Sequence, residues 1–517
     1  MITAMVDVVR EMARCQPLAI ALECEGSRST WRDLQDRSAR VAQGLLREGL
    51  GREDRVLILG RSDIAFFELL FGSALSGVVT VPINWRLTQA EIAAIVLDSG
   101  AQLLFVSEAF AALVREILRD VPALRRVIVI GDRGQEGGDY ERWLAAQPVD
   151  APYAPADPEA VALQLYTSGT TGVPKGVMLT NANLAGYWSQ GELFGFDVNS
   201  VNLVTLPLFH IAGIWWALVG MAQGARTVLT PEFNAEFLLD TVPAQGVTHT
   251  VLVPAILQSL SRRSGIEDVD FSSLHTIMYG AAPISKTLLD RCLAIFGCAF
   301  YQTYGLSEAA GAVTLLSAQD HLDEAHVERL GSVGRPMPGV SIRIVDPENR
   351  ADVPEGAAGE IWIRSAQVMR GYWNKDEDSA GAIAPGAWLR TGDVGYLTDG
   401  FVYLCDRLKD MILTGGENVY PTEVENVLMA HPDIADVAVI GIPSEAWGEE
   451  VKAIVVPVEG RTPDILELAS FARKRLAGYK IPKSFEFVGA LPRTSSGKVL
   501  KRELRETYWK GHRRLIA

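Results

Sequence analysis

The strongest constraint on this chain is the stretch Tyr166-Thr167-Ser168-Gly169-Thr170-Thr171-Gly172-Val173-Pro174-Lys175-Gly176, with the apolar run over residues 160–166 that leads into it. The run reads as a buried strand. The eleven residues from Tyr166 to Gly176 hold three glycines, four Ser/Thr hydroxyls and one lysine. Glycines let successive backbone N–H groups turn toward an anion, and hydroxyls add further donors. Lys175 adds a cation on a long stem, suited to phosphate. A strand must therefore stop at a loop shaped to wrap a polyphosphate. It is not the Walker loop: the second glycine of G-x-x-x-x-G-K-[ST] would fall on Pro174.

Short β-branched runs alternate with helical patterns on the N-terminal side of this loop. Val56-Leu57-Ile58-Leu59, Val78-Val79-Thr80-Val81 and Leu103-Leu104-Phe105-Val106 read as strands, with helices expected over 64–75 and 88–99. After the loop, strands are expected near 202–206, 227–229, 249–253 and 276–279. The alternation points to βαβ units and parallel sheets. From about 331 to 404 helices fade, and 340–345, 359–364 and 400–404 read as antiparallel strands with Gly/Pro turns. A small α+β unit follows, with helices near 422–430 and 465–476 and strands near 437–440 and 452–456. The charged word Asp406-Arg407-Leu408-Lys409-Asp410 stands between apolar stretches and reads as an exposed connector.

Composition sets the outer limits. The 517 residues are 48% hydrophobic and carry a net charge of −15, so a large core is expected and general nucleic-acid binding is not. From Phe471 onward the sign reverses, with thirteen Lys/Arg against three acids, which makes that segment either a solvated face or a site for an anion. Five cysteines with no C-x-x-C argue for reduced thiols in the cytoplasm and against zinc or a disulfide framework. The start lacks a signal pattern, and no run of about 18 apolar residues exists to span a membrane.

Four further words could carry chemistry. Tyr301-Gln302-Thr303-Tyr304-Gly305-Leu306-Ser307-Glu308 offers an aromatic face at a turn, a hydroxyl and a carboxylate suited to Mg²⁺. Gly280-Ala281-Ala282-Pro283 is small enough to admit a flat ring. Thr391-Gly392-Asp393, expected on a turn, offers a carboxylate to vicinal hydroxyls. Pro492-Arg493-Thr494-Ser495-Ser496-Gly497-Lys498-Val499-Leu500-Lys501-Arg502 places Lys498 on a Gly/Ser turn.

These words, in this order over residues 160–502, resemble the adenylate-forming (AMP-binding) superfamily, and within it the acyl-CoA synthetases, or fatty acid–CoA ligases. The resemblance implies an α/β fold. A large N-terminal domain of stacked α/β sheets with a small β-barrel-like part spans 1–405, 406–410 is a hinge, and a small mobile α+β C-terminal domain spans 411–517. It also implies site roles. Thr167, Ser168, Gly169, Thr170, Thr171, Gly172 and Lys175 would hold the phosphates of ATP. Gly280, Ala281, Ala282, Tyr304 and Gly305 would enclose adenine, and Ser307 would meet a phosphate where the family usually has threonine. Glu308, with Thr170, would bind Mg²⁺. Asp393 and Arg407 would hold ribose and phosphate, and Lys409 would be the pivot. Gly415, Gly416, Glu417 and Lys480 would border CoA. Lys498 would bridge the substrate carboxylate and the α-phosphate, with His210 beside the entering carboxylate.

The implied reaction is ATP-dependent formation of acyl-AMP, then acyl-CoA, with release of AMP and pyrophosphate. Pro207-Leu208-Phe209-His210 puts a histidine where amino-acid-activating relatives keep an aspartate, which argues against an amino-acid substrate. The apolar segment after it carries Trp215 and Trp216, candidates for the acyl pocket; helical geometry lets only one face it squarely, the other being core. An apolar acid, a medium- to long-chain fatty acid or a ring-bearing one, is expected. Partners beyond the acid, ATP and CoA would be few: no nucleic acid, at most a peripheral membrane contact, and compatibility with a homodimer. Three alternatives stay open: an acyl-AMP ligase loading a carrier protein, a luciferase-like oxygenase, and a non-catalytic nucleotide-binding regulator. The first usually carries an extra segment before the hinge, and no obvious one precedes Asp406. Lys175, Glu308, Asp393 and Lys498 together speak against the last.

Overall fold

The structure, a computed structural model, describes residues 4–117, 121, 123–131, 138–149, 157–167, 174–186, 188–280, 284–415, 417–444, 446–493 and 499–510. Internal contacts divide the chain into two units, Met1–Ser341 with Ile363–Leu389, and Ile342–Trp362 with Arg390–Ala517.

The first unit holds two sheets. One has seven strands, in the order Gly371–Tyr372, Lys175–Thr180, Val161–Thr167, Val79–Ile83, Arg55–Leu59, Leu103–Ser107 and Arg126–Ile130. Its strands from Val161–Thr167 to Arg126–Ile130 run parallel, and the two at the other edge are antiparallel additions. The other sheet has nine strands. Six of them run parallel: Ala299–Leu306, Thr276–Gly280, His249–Leu252, Val201–Val204, Arg226–Leu229 and Ile20–Cys24. Near-continuous apolar runs suit strands buried on both faces. The expected βαβ alternation is present, with element ends shifted by a few residues.

Local sequence explains the helices. Thr88 and Glu91 form a capping box on Gln89–Ser99, and Gly100 ends that helix at φ +67°. Ile64–Ser76 is apolar apart from Glu68 and a few small residues, and is buried from Ile64 to Ala74. Its Glu68 is fully buried because Arg37 Nε donates to it at 2.6 Å and the Tyr140 hydroxyl at 2.9 Å. A buried carboxylate persists only when paired in this way.

The second unit contains most of the strands Ser341–Val345, Gly359–Arg364 and Trp388–Thr398 and all of Phe401–Arg407, which lie in one sheet. Beyond them, Ile412–Thr414, Glu417–Val419, Ile434–Ser444, Gly448–Pro457 and Ser484–Phe487 form another, whose core joins Val424 and Leu428 of helix Pro421–Met429 to Leu468 and Ala472 of helix Ile465–Arg473. The mixed α/β class agrees with the sequence expectation.

Three local expectations need correction. Tyr304-Gly305 and Thr391-Gly392-Asp393 lie within strands, not on turns. In each case the glycine interrupts a pattern that tertiary pairing restores, and a bulge falls at Tyr304/Gly305. The connector is also not an exposed one: Asp410 is buried, and the Asp406 side chain is only 5% exposed. Its two acids are covered because each finds a partner, Asp406 in Thr422 and Lys501, and Asp410 in Arg505.

Candidate active site

Strands Val161–Thr167 and Lys175–Thr180 are antiparallel neighbours, with Thr167 opposite Lys175. The glycine loop is therefore the connection of a hairpin, and Thr167 and Lys175 stand at its foot. Ser168, Gly169, Thr170, Thr171 and Gly172 lie outside the described residues. Lys175 Nζ donates to Asp378 Oδ1 at 2.5 Å and lies 5.2 Å from the centroid of the Tyr372 ring. The Tyr372 hydroxyl donates to Glu308 Oε1 at 3.0 Å, and the Met369 N–H donates to the Glu308 carbonyl at 2.8 Å. Lys175 and Glu308, taken from separate words of the sequence, are thus joined through Tyr372.

The placement of Glu308 follows from its strand. Tyr304 is buried, and a Cβ at Gly305 would collide with the Gly311 carbonyl, so the close approach of the two strands requires glycine there. Ser307 opens the short 3₁₀ turn that carries Glu308, and Ala310 closes it in the left-handed region at φ +52°. Gly280 ends the neighbouring parallel strand opposite Thr303. A Cβ on Gly280 would sit 2.5 Å from the Thr303 carbonyl oxygen. Gly280 and Tyr304 therefore come together at one end of the sheet, while Ala281 and Ala282 lie outside the described residues.

His210 is the N-cap residue of helix Ile211–Ala222, with its ring 4.5 Å from that of Phe209. The helix has no charged residue, and Ile211 and the residues from Gly213 onward are buried. Trp215 and Trp216 are both fully buried. Trp216 packs between Phe194 and Phe196, at 5.2 and 5.1 Å, and is core. Trp215 donates its indole N–H to Gln190 Oε1 at 2.9 Å and lies against Gly311, where an added Cβ would come within 2.9 Å of its ring. Phe196 stacks on His249 at 4.0 Å; burial pushes that imidazole down to about 4.

In the second unit, Asp393 and Arg407 face each other across antiparallel strands and form a 2.6 Å ion pair. Asp406 Oδ2 accepts from the Thr422 N–H at 2.8 Å and the Thr422 hydroxyl at 3.0 Å. Helix Pro421–Met429 thus has a first-turn N–H satisfied by a carboxylate of the connector. Lys501, from helix Lys501–Trp509, lies 2.9 Å from Glu425 and 3.6 Å from Asp406, and Arg505 of the same helix pairs with Asp410 at 2.6 Å. Burial pushes the Glu425 carboxyl up against the pull of Lys501. Burial also opposes ionisation of Asp410, but Arg505 and Lys501 hold it below the ordinary carboxylate range. Lys409 is held below lysine's usual value, chiefly by burial. Gly415 sits at φ +60° in the turn joining Thr414 to Glu417, against Trp447. Lys480 donates to both oxygens of Glu423 at 2.7 Å. Gly416 and Lys498 lie outside the described residues.

Sequence reasoning passed over Tyr372, Asp378 and Gln190, and included Lys501 at the end of its last word without giving it a role. No motif spacing marks the first three; Gly371-Tyr372-Trp373, an aromatic pair after a glycine, was the only available signal. Among the described residues no group of three metal-ligating side chains occurs. One carboxylate such as Glu308 fits Mg²⁺ all the same, because this ion is commonly held by one or two carboxylates plus phosphate oxygens.

A hairpin loop rich in glycine and hydroxyls, a lysine at its foot and a carboxylate joined to it by one tyrosine suit the phosphates of a nucleotide and their metal. Residues 9–373 match the AMP-binding enzyme family and residues 423–498 its C-terminal domain, and the chain belongs to that family. The chain is 38% identical to the fatty acid–[acyl-carrier-protein] ligase ScoC of Streptomyces coeruleorubidus, over 96% of this chain and 95% of that protein. It is 39% identical to a feruloyl-CoA synthase of Amycolatopsis, over 96% and 97%. ATP-bound MatB from Rhodopseudomonas palustris superposes with a TM-score of 0.88 at 28% identity, covering 98% of this chain and all of that one. The chain is thus an acid–thiol ligase that activates a carboxylic acid with ATP through an acyl adenylate, in a family that works with ATP, Mg²⁺ and CoA. No helix among the described residues is long and apolar enough to cross a membrane.

Proposed function

We propose that the chain joins an apolar monocarboxylic acid, a fatty acid of medium to long chain or a ring-bearing acid, to the thiol of CoA. The observation that carries this is helix Ile211–Ala222: it follows His210, is almost wholly buried, and offers no charged side chain to a second polar end of a substrate. An unpaired charge buried there would cost several kcal/mol, whereas each buried methylene contributes about 0.8 kcal/mol. Relatives named for feruloyl and indoleacetate substrates support the ring-bearing arm of this reading.

In the first unit, Thr167 and Lys175 with the loop 168–172 hold the phosphates, Gly280 and Tyr304 bracket the adenine, and Ser307 meets a phosphate oxygen. Glu308 is the carboxylate for Mg²⁺, which when bound neutralises charge on the phosphate oxygens. His210 lies beside the entering carboxylate, and Trp215 is the pocket-side tryptophan. In the second unit, Asp393 and Arg407 serve ribose and phosphate, Lys409 is the pivot, and Gly415, Glu417 and Lys480 border CoA. Lys498 offsets charge as a carboxylate oxygen bonds to the α-phosphorus and the bond to pyrophosphate breaks. A thiolate then attacks the acyl carbon and AMP leaves. With five free thiols, the cytoplasm is the setting we assign.

A panel of carboxylic acids, scored for AMP release with free CoA, tests this. Preference for acetate, a dicarboxylate or an amino acid would sink the substrate assignment. The similarity to the carrier-protein ligase favours a second reading, in which a carrier-bound thiol is the acceptor. Acyl transfer to a holo carrier protein but not to CoA would select it.

A further inference from the structure

The contacts of Lys175 and Glu308 point to two residues outside the words that mark the family. Tyr372 belongs to a built framework. Its two-residue strand pairs with Val177, just after the glycine loop, and the next residue, Trp373, donates its N–H to the Gly176 carbonyl at 2.8 Å. Its own N–H donates to Ser379 Oγ at 2.8 Å, and that hydroxyl donates to the Lys375 carbonyl at 2.7 Å. This ties Tyr372 to helix Asp376–Ala382, which carries Asp378 in its first turn. From that fixed backbone one side chain serves both charged groups: the hydroxyl occupies Glu308 Oε1, and the ring lies beside the Lys175 ammonium. A donor on one carboxylate oxygen fixes the orientation of the other, as outer partners of metal ligands generally do. Asp378 differs in kind. Its side chain is 40% exposed against 15% for Lys175, so the pair stands at the edge of solvent and can exchange partners.

We propose that Tyr372 is a positioning residue that sets Glu308 for the metal on ATP and steadies Lys175, and that Asp378 is a placeholder which phosphate displaces from Lys175. The proposal rests on the assignment of Lys175 to phosphate and Glu308 to Mg²⁺. It is tested by equilibrium binding of ATP, measured by calorimetry at graded Mg²⁺ without acid or CoA. The proteins compared are the parent, Tyr372→Phe, Asp378→Asn and Lys175→Ala. Tyr372→Phe keeps the ring and should raise the Mg²⁺ concentration for half-maximal ATP binding about tenfold, the lower end for losing an outer partner of a metal ligand. Asp378→Asn should tighten metal-free ATP binding by about threefold, the scale of a partly exposed ion pair. An affinity loss in Tyr372→Phe that is equal at every Mg²⁺ concentration, or no loss, overturns the role of Tyr372. Weaker ATP binding in Asp378→Asn overturns the placeholder. A parent that binds no ATP, or a Lys175→Ala variant that binds it as well as the parent, overturns the underlying assignment instead.

Discussion

Two lysines, one in each unit, have nearly the same exposure and opposite surroundings. The side chain of Lys175 is 15% exposed and its carboxylate partner 40%; that of Lys501 is 12% exposed, and its partners Asp406 and Glu425 are 5% and 17% exposed. The first pair can open toward solvent and accept another anion. The second is closed among acids that have already lost their water, and it ties the connector to the last described helix. What separates a lysine available to a ligand from one that holds the fold is therefore the burial of its partner, not its own.

The largest expected effect breaks the closed side of this contrast. Lys501→Met leaves Glu425 and Asp406 buried without their cation and should cost about 3–5 kcal/mol of stability. Lys175→Met should cost less than about 1 kcal/mol, since Asp378 is regained by water. Denaturant unfolding of both variants checks this, and equal losses would erase the distinction.

Acid should strike the first unit before the second. His249 has a folded pKa of about 4 against about 6.5 when unfolded, so the unfolded chain takes up the proton first. The stability this neutral histidine contributes is full above about pH 6.5 and is lost as the pH falls from there through about 4, to an extent of about 3 kcal/mol. Asp410 has a folded pKa below its unfolded value. Its contribution is kept above about pH 4 and is lost only as the pH falls further. Urea midpoints at pH 7.5 and 5, read by tryptophan fluorescence, should fall less in His249→Gln than in the parent. A parallel fall would remove His249 from the account.

Lys498 stands just before Lys501 in the chain, and the comparison can be sharpened there. Lys498→Ala should cut ATP–pyrophosphate exchange by about 10² while leaving stability unchanged, the reverse of Lys501→Met. Conversion of supplied acyl-AMP to acyl-CoA should largely survive, and equal loss in both half-reactions would end the assignment. The smallest effect is expected from Lys480→Ala, whose partner Glu423 is 41% exposed. The stability change should stay below about 1 kcal/mol, while KM for CoA rises and KM for ATP does not. An unchanged CoA response would reduce Lys480 to a surface pair.

The sequence by itself determined the strands, the helices between them and the class of chemistry. Apolar runs, capping residues and glycine loops act within a few residues, so they can be read along the chain. The order of its words also carried the resemblance to the AMP-binding enzyme family, which the family match over residues 9–373 and 423–498 bears out. Which groups are held by what was decided only by tertiary structure. Tyr304-Gly305 is part of a strand because Gly311 approaches it, and the charged connector is covered because Lys501 and Arg505 reach back to it from helix Lys501–Trp509. Tyr372 joins Glu308 to Lys175 across distant parts of the sequence. Burial and ion pairing depend on residues far apart in the chain meeting in space, and no local pattern carries that information.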